Sequence, residues 1–360
     1  MAREKIYNFA AGPSMLPLPA LETARAELLD YMGSGMSVME MSHRSAIYGE
    51  IFQNAASMLR KLMAVPESHE ILFLQGGATG QFAAIPMNLM AGGVADYAVT
   101  GNFSGKAAKE AGKYGEVRIA CDTSAEGHDH IPTQEELSLS GDASYFYYCA
   151  NNTVYGTEWQ YLPEAKALLV CDMSSDILSR AVDVSRYGLI FAGAQKNMAP
   201  AGLTVVIVDK ALAGRELPIT PQIMSYKAMI EQGSMLNTPP CWCVYMLGLT
   251  LSWIEAEGGV AAMESMRAEK AGPVYDFLDN SRLFTPHARP GSRSMMNVTF
   301  STGDGALDAE FIAGAAGRGL LNLKGHKLAG GMRASMYNAM PVEGARALLD
   351  YLKEFERAHV

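Results

Sequence analysis

The feature that most constrains the fold is an alternation of apolar, strand-like runs with stretches long enough for a helix. Seven such runs lie between residues 71 and 209: Ile71–Gln75, Asp96–Gly101, Val117–Asp122, Ser144–Ala150, Ala167–Asp172, Leu189–Ala194 and Leu203–Asp209. Most intervals can hold a crossover helix, for example Phe103–Tyr114. Parallel strands joined by helical crossovers form a sheet that is covered on both faces. The alternation therefore predicts an α/β fold built on a mostly parallel sheet.

One interval is too short for a crossover. Only eight residues lie between Ala194 and Leu203, whereas a parallel connection needs about a dozen or more. The last two strands should therefore run antiparallel to each other. We predict a seven-stranded, mostly parallel sheet with one antiparallel strand.

The pattern changes after Pro239-Pro240, where two long helices are predicted at Trp242–Glu257 and Val260–Leu278. A smaller α+β unit follows, with a strand at Ser294–Phe300, a helix at Leu307–Arg318, a strand at Met332–Ser335 and a helix at Val342–Arg357. A chain of 360 residues also exceeds the usual size of one domain. We predict a large domain over residues 15–259 and a small α+β domain over residues 1–14 and 260–360.

Composition argues against several classes of function. The chain has 38 acidic and 29 basic residues, a net charge of −9, and such a surface repels a nucleic-acid backbone. No run reaches the roughly 18 uninterrupted apolar residues of a membrane span. No apolar stretch of a signal peptide follows the charged Met1–Lys5 segment. The five cysteines are odd in number, and three lie in strand-like runs, as a reducing compartment allows. We expect a cytoplasmic protein with neither a nucleic-acid nor a membrane partner.

No metal site is predicted. Cys241-Trp242-Cys243 lacks the two-residue spacer of common zinc pairs, and no second cysteine pair complements it. The turn Gly127–His130 holds two histidines and an aspartate, but no further ligand cluster accompanies it. Turn composition is the simpler interpretation of that segment.

Three motifs at strand ends carry candidate chemistry. Gln75–Gln81 is a glycine-rich turn between a strand and a helix, where backbone N–H groups can approach an anion. Asp172 ends an apolar strand, and a buried carboxylate needs a partner. Lys196 follows the apolar run Leu189–Ala194, and poor solvation lowers the pKa of an amine and makes it nucleophilic. Taken singly, the three motifs are equally well explained as a tight turn, a helix N-cap and a snorkelling lysine.

Taken together, the motifs indicate pyridoxal 5′-phosphate. This cofactor needs a lysine that attaches it, an acid that keeps its pyridine nitrogen protonated, and a turn that holds its phosphate. All three motifs lie at the carboxyl ends of predicted strands, where open α/β sheets bind ligands. A nicotinamide oxidoreductase is disfavoured, because the chain lacks a dinucleotide fingerprint with a ribose-binding acid about 20 residues further on.

The chain resembles the class V aminotransferases, a branch of the fold-type I pyridoxal-phosphate enzymes, over essentially its whole length. The matching motifs occur in the family's order: Asn8-Phe9 with Ala11-Gly12-Pro13, Met41–Ser45, Asp183–Asn197, Asn237–Pro240 and Gly330–Ser335. The resemblance implies reversible amino transfer from L-glutamate to 3-phosphohydroxypyruvate, a step of serine biosynthesis. A second substrate from vitamin B6 biosynthesis, 4-phosphohydroxythreonine, is also consistent with it.

Other functions stay open at this stage. An alanine– or serine–glyoxylate transaminase is the nearest alternative. A cysteine desulfurase needs a reactive cysteine on a mobile loop, whereas Cys241 and Cys243 adjoin Pro239-Pro240 and an apolar helix. A non-catalytic metabolite-binding protein on the same scaffold is disfavoured because Lys196 is present.

The resemblance also implies roles for individual residues. Lys196 would attach the cofactor and move a proton at the substrate α-carbon, and Asp172 would pair with the pyridine nitrogen. The other residues expected to contact the cofactor in the same subunit are Ala78, Thr79, Phe103, Thr153, Ser174 and Gln195. The residues expected to bind substrate anions are His43, Arg44, His326, Lys327 and Arg333, the last of which would grip the α-carboxylate. Asn237 and Thr238 would reach the phosphate in the neighbouring subunit, which implies a homodimer.

Four positions depart from the usual pattern of the family. Phe103 stands where the residue that stacks on the cofactor is usually Trp, and Lys327 where Arg is common. Thr79 replaces an Arg of some members, and Ala10 replaces a common Ser. A lysine binds phosphate as a point charge, without the planar fork of arginine. These departures bear on substrate preference more than on the type of reaction.

Overall fold

The computed structural model describes residues 6–360. The prediction that no signal peptide begins at Met1–Lys5, and the first five residues of the predicted small-domain segment 1–14, lie outside the described residues. The strands are β1 Tyr7–Asn8, β2 His69–Leu74, β3 Val94–Val99, β4 Glu116–Asp122, β5 Tyr145–Cys149, β6 Asn151–Asn152, β7 Thr157–Glu158, β8 Leu168–Asp172, β9 Tyr187–Gly193, β10 Thr204–Asp209, β11 Thr285–Pro286, β12 Asn297–Ser301, β13 Leu320–Leu321 and β14 Met332–Ser335. The α-helices are α1 Leu18–Ala26, α2 Ala46–Leu62, α3 Gly77–Leu89, α4 Asn102–Ala111, α5 Tyr226–Glu231, α6 Cys241–Ala256, α7 Gly259–Asn280, α8 Gly305–Gly317 and α9 Val342–His359.

A seven-stranded mixed sheet is the centre of the larger part of the molecule. Its strand order is β2–β10–β9–β8–β5–β3–β4. The strands from β9 to β4 pair in parallel, whereas β10 is antiparallel to both β9 and β2. The predicted seven-stranded sheet with one antiparallel strand is therefore confirmed. Each of the seven predicted strands begins and ends within two residues of the observed strand.

Helices cover both faces of this sheet, as its sequence pattern requires. Ile190 of β9 and Val205 of β10 belong to an apolar core shared with α2 and α6. Their neighbours Leu189 and Val206 belong to a second core shared with α3 and α4. Successive side chains of a strand point to opposite faces, so strands that are buried on both sides are continuously apolar.

A third apolar core lies in the C-terminal part of the chain. It combines β12, β14, α8, α9 and the second half of α7 with Phe9 from the N-terminal segment. β1 joins the same part by pairing in parallel with β13. The long helix α7 contributes Met263 to the large core and Ala271 to the third core. The predicted domain boundary, at residues 259 and 260, falls at the start of this helix and stays a prediction.

Across residues 6–360 no helix is both long enough and apolar enough to cross a membrane.

Candidate active site

The candidate site lies at the carboxyl edge of the sheet. β2, β3, β8 and β9 run in the same direction, so the segments that follow them meet at one edge. These segments carry the glycine turn at Gly76, the ring of Phe103, the carboxylate of Asp172 and the amine of Lys196. Residues more than 100 positions apart are therefore brought to one place by the order of the strands.

Lys196 lies in the connection between β9 and β10. Its Nζ donates a hydrogen bond to Thr153 Oγ1 at 2.8 Å and lies 5.3 Å from the centroid of the Phe103 ring. The backbone is fixed from the N-terminal segment, where Ser14 Oγ donates to Lys196 O. Burial lowers the pKa of Lys196, and the charge of Asp172 opposes that fall. A lysine amine that loses its proton more easily can act as a nucleophile and as a base.

Glycine is required beside Lys196 because the chain passes close to its side chain. A Cβ at Gly12 would lie 3.0 Å from Lys196 Cγ, and the φ of Gly12 is +137°. L-residues with a side chain rarely adopt such a conformation. The motif Ala11-Gly12-Pro13 therefore has a steric role next to the reactive amine.

Asp172 ends β8 and is only 2% exposed. The backbone N–H of Ser174 donates to its Oδ1 at 2.9 Å. Burial raises the pKa of Asp172, and the positive charge of Lys196 opposes the rise. A buried carboxylate in this position can hold a proton on a cationic partner, which is what a pyridine nitrogen requires.

The glycine turn ends in a helix N-terminus. Gly76 precedes α3 with a φ of 94°, in the left-handed region that favours glycine. Ala78 and Thr79 lie in the first turn of α3, where backbone N–H groups have no acceptor within the helix. Those N–H groups and the positive end of the helix dipole suit a phosphate.

Ser174 and Gln195, also predicted at the phosphate, lie around Gly193 at the end of β9. The N–H of Gly193 donates to Ser174 Oγ at 3.0 Å. A Cβ at Gly193 would lie 2.9 Å from Gln195 Oε1, so the Gln195 side chain folds directly over the glycine. The arrangement brings both polar side chains to the carboxyl end of the strand that leads to Lys196.

Arg333 has hydrogen-bonding capacity that the chain leaves unused. Its Nη1 donates to Thr153 O at 3.3 Å, so it lies beside the residue that contacts Lys196. Its Nε is buried without a hydrogen-bond partner in the described part of the chain. Burial lowers the pKa of the guanidinium. An arginine with a free buried donor can bind a carboxylate with two parallel hydrogen bonds.

His326 and Lys327 lie in the turn between β13 and β14. The N–H of Gly330 donates to His326 O at 2.8 Å, and the N–H of Gly325 donates to Gly331 O at 2.8 Å. Burial lowers the pKa of His326, and the positive charges of Arg333, Lys327 and Lys106 lower it further. The structure thus assembles several basic groups near Arg333.

Lys106 belongs to this basic group, although no sequence motif predicted it. Its Nζ lies 5.5 Å from the centroid of the Phe103 ring. The available signal was its position in α4, three residues after Phe103, because residues at this spacing share a helix face.

No hydrogen bond joins the remaining predicted residues to Lys196, Asp172 or Arg333 within residues 6–360. His43 is buried, with no hydrogen-bond partner for its Nε2 among the described residues, and Arg44 is exposed; both precede α2. Asn237 and Thr238 are exposed beside the glycine turn. Asn237 Nδ2 donates to Gln75 Oε1 at 3.0 Å, and Gln75 Nε2 donates to Thr238 O at 3.5 Å.

The residues present fit pyridoxal 5′-phosphate. Lys196 supplies the amine, Asp172 the buried carboxylate for the ring nitrogen, Phe103 an aromatic face and the start of α3 the phosphate-binding N–H groups. In the described part of the chain, no three side chains of His, Cys, Asp or Glu are grouped as metal ligands.

The fold and the site define a pyridoxal-phosphate-dependent aminotransferase of fold type I. Residues 6–348 match the family described as aminotransferase class-V. The chain belongs to this family, as the sequence motifs predicted.

Named relatives cover nearly the whole chain. It is 50% identical over 359 residues to the phosphoserine aminotransferase of Aromatoleum aromaticum, with 98% of both chains aligned. The solved phosphoserine aminotransferase of Bacillus circulans subsp. alkalophilus is 40% identical, with a TM-score of 0.96 over 99% of this chain and 100% of that one. A pyridoxal-phosphate-bound phosphoserine aminotransferase from Trichomonas vaginalis is also 40% identical, with a TM-score of 0.93 over 97% and 99% of the two chains.

Proposed function

We propose that this chain is a phosphoserine aminotransferase, which transfers an amino group from L-glutamate to 3-phosphohydroxypyruvate and gives O-phospho-L-serine and 2-oxoglutarate in serine biosynthesis. The observation that carries the proposal is a group of basic side chains around Arg333, which lies beside Thr153, the hydrogen-bond partner of Lys196. Arg333 offers an orphaned buried Nε, and His326 with Lys327 forms a second basic site. Each substrate carries one carboxylate at the reacting carbon and a second anion further out. The names of the relatives at about 50% identity agree with this assignment.

The site residues divide the work of the reaction. Pyridoxal 5′-phosphate, held by Lys196, Asp172 and the start of α3, would supply the electron-withdrawing ring and the carbonyl chemistry of amino transfer. Arg333 orients the substrate by its α-carboxylate. Lys196 Nζ, held by Thr153 Oγ1 at 2.8 Å, removes and returns the proton at the α-carbon. Asp172 holds a proton at the ring nitrogen and so favours the withdrawal of electrons from the reacting carbon.

The test is the near-visible absorbance of the cofactor-loaded protein before and after addition of O-phospho-L-serine. We expect the near-visible absorbance band of the bound cofactor to bleach with O-phospho-L-serine and with L-glutamate. Lys196→Ala should show no such response. If the band bleaches with glutamate or alanine but not with O-phospho-L-serine, the protein is an aminotransferase whose substrate is not the phosphorylated one. An alanine–glyoxylate transaminase predicts the response to alanine.

The active unit is proposed to be a homodimer in which Asn237 and Thr238 reach the phosphate site of the partner. Both residues are exposed next to the glycine turn of their own chain. Three apolar side chains of the segment between α1 and α2, Leu29, Met32 and Met39, are exposed by 83%, 76% and 59%. Because exposed apolar surface can mark an interaction site, we propose that a second copy of the chain covers this segment.

The segment that carries Leu29 and Met32 and the segment Asn237-Thr238 adjoin the same helix. Tyr31 packs edge-on against Tyr245 of α6, with ring centroids 5.8 Å apart, and Asn237-Thr238 lies a few residues before the start of α6. One interface could therefore cover both. The proposed location is the cytoplasm, in agreement with five free cysteines.

A further inference from the structure

We propose that Lys106 is a specificity-determining residue that contacts the distal anion of the substrate and favours phosphate over carboxylate. The inference rests on the proposed function and adds a residue to it. Lys106 is part of α4, on the large domain side of the site, whereas His326, Lys327 and Arg333 come from the C-terminal part of the chain. The distal anion would therefore be bound from both sides of the cleft.

The position of Lys106 follows from the helix that carries it. α4 begins at Asn102, immediately after the carboxyl end of β3, so its first turn lies at the edge of the sheet that holds the site. Phe103 and Lys106 are three residues apart and share one face of the helix. The ammonium of Lys106 is thereby directed over the Phe103 ring, 5.5 Å from its centroid.

The two lysines are close enough to each other for one substrate to reach both. Nζ of Lys196 is 5.3 Å from the same ring centroid, so the two nitrogens are at most 10.8 Å apart. In glutamate and in phosphoserine alike, three bonds separate the α-carbon from the central atom of the distal anion. With the α-carbon beside Lys196 and a hydrogen bond of about 3 Å to the ammonium, the distal anion can reach Lys106.

The positive charge of Lys106 has no acidic partner in the described part of the chain. No carboxylate in residues 6–360 lies within 4.0 Å of it, in contrast to Lys113, which pairs with Glu110 at 2.6 Å. Its positive charge acts on His326 together with those of Arg333 and Lys327. Several unpaired cations in one cleft of a protein with net charge −9 form a local field that attracts an anion.

Such a field discriminates between the two substrates by their charge. A phosphate monoester carries about −1.5 to −2 at pH 7, whereas a carboxylate carries a single charge. Because Coulomb energy scales with charge, an additional cation stabilises bound phosphate more than bound carboxylate. The flexible stem of lysine lets one ammonium serve both anions.

The first test compares Lys106→Gln with Lys109→Gln, a matched loss of an exposed lysine from the same helix. KM and kcat are measured separately for O-phospho-L-serine and L-glutamate. We expect Lys106→Gln to raise KM for O-phospho-L-serine about tenfold and KM for L-glutamate less than about threefold, at an unchanged kcat. Lys106→Arg should restore most of the loss, and Lys109→Gln should change neither KM. Equal changes for the two substrates, or none, contradict the proposal.

The second test does not depend on turnover. The side chains that act on His326 are Arg333, Lys327 and Lys106, so removal of the Lys106 charge should raise the pKa of the His326 imidazole. Its titration is followed by NMR of ring-labelled histidine, assigned with His326→Gln, with and without inorganic phosphate. Lys106→Gln should raise the pKa and weaken phosphate binding, whereas Lys109→Gln should do neither. An unchanged titration and phosphate affinity in Lys106→Gln overturn the proposal.

The two ideas can fail separately. If the wild-type enzyme does not respond to O-phospho-L-serine, the proposed function fails, and the phosphate titration still decides whether Lys106 binds a distal anion. If the wild type responds but Lys106→Gln keeps the wild-type KM ratio, only the role of Lys106 is rejected.

Discussion

Asp172 and Asp122 occupy equivalent places at the ends of β8 and β4, and both accept a hydrogen bond from the N–H two residues further on, at 2.9 and 2.8 Å. Asp122 is exposed on the edge strand, whereas Asp172 is buried in the centre of the sheet beside Lys196. The local sequence cannot distinguish a turn-forming aspartate from one that faces a ligand. Burial decides the difference, and burial depends on the order of the strands.

At the scale of the residue, Asp172→Asn should lower kcat by about a hundredfold, while Asp122→Asn leaves it unchanged. The amide keeps the size of the side chain but loses the negative charge that holds a proton on the ring nitrogen. Steady-state kinetics with O-phospho-L-serine and 2-oxoglutarate measure both variants. A kcat for Asp172→Asn within about threefold of the wild type would argue against its assigned role.

At the scale of the element, close backbone packing fixes where α4 starts. A Cβ at Gly101 would lie 2.6 Å from Asn152 Oδ1, and Asn152 is itself held by bonds from its Nδ2 to Thr100 Oγ1 at 3.2 Å and Thr157 Oγ1 at 3.0 Å. The apolar pattern of the sequence places β3 and α4 within a few residues. It cannot reveal this contact, because the two partners are about 50 residues apart in the chain.

Gly101→Ala should therefore displace α4 and, with it, Phe103. We expect the free energy of unfolding to fall by about 1–3 kcal/mol and the cofactor to dissociate more readily. Gly105→Ala is the matched control within α4, since its Cβ would meet nothing closer than Val99 Cγ1 at 3.6 Å. The free energy of unfolding of Gly105→Ala should rise by about 0.5–1 kcal/mol. Urea unfolding and cofactor absorbance measure both effects, and equal responses of the two variants would refute the packing argument.

A buried lysine on α7 links the C-terminal part of the chain to the loop that carries Lys196. Lys270 is 1% exposed, and its Nζ donates to Tyr337 O at 2.7 Å and Met340 O at 3.1 Å. The N–H of Asn338, in the same loop, donates to Asn197 Oδ1 at 2.9 Å. The neighbour of Lys196 is thus held by a segment that Lys270 anchors.

Burial lowers the pKa of Lys270 from 10.5 to about 7, which makes the stability of the fold depend on pH. Between pH 7 and 10 the unfolded chain binds more protons at this site than the folded chain, so stability should rise with pH, by at most about 1.4 kcal/mol per unit. Urea unfolding of the wild type and Lys270→Met at pH 6.5, 8 and 9 measures the difference. The advantage of the wild type should grow with pH, and parallel pH profiles would contradict the expectation.

At the scale of the whole molecule, the strands of the large sheet could be predicted because each is a long apolar run. The apolar runs predict the seven strands. The short interval between Ala194 and Leu203 predicts that the last two strands are antiparallel. The pairing of β1 with β13 could not be predicted, because two-residue strands have no period to detect and lie more than 300 residues apart. Phe9 also joins the third core from the far end of the chain.

The proposed dimer makes a prediction at this scale. The wild type should have twice the chain mass of 38.7 kDa by light scattering, and the double variant Leu29→Asp/Met32→Asp should be a monomer that binds the cofactor more weakly. The two introduced aspartates would be buried in the interface, and the cost of burying their charges would oppose dimer formation. Ile119→Asp introduces one carboxylate at an exposed apolar residue of β4 and should stay dimeric. A double variant that keeps the dimeric mass would place the interface elsewhere.

The hairpin of β9 and β10 closes over a short connection, in which the N–H of Ala194 donates to Leu203 O at 3.0 Å. β2 joins β10 with Leu74 opposite Thr204, 130 residues further along the chain. The entropy lost on loop closure grows with such separation, and distant pairings slow folding. The loop that carries Lys196 is therefore expected to nucleate early and locally. The glycine turn after β2 reaches it only when that outer strand docks, so the phosphate-binding half of the site is completed late in folding.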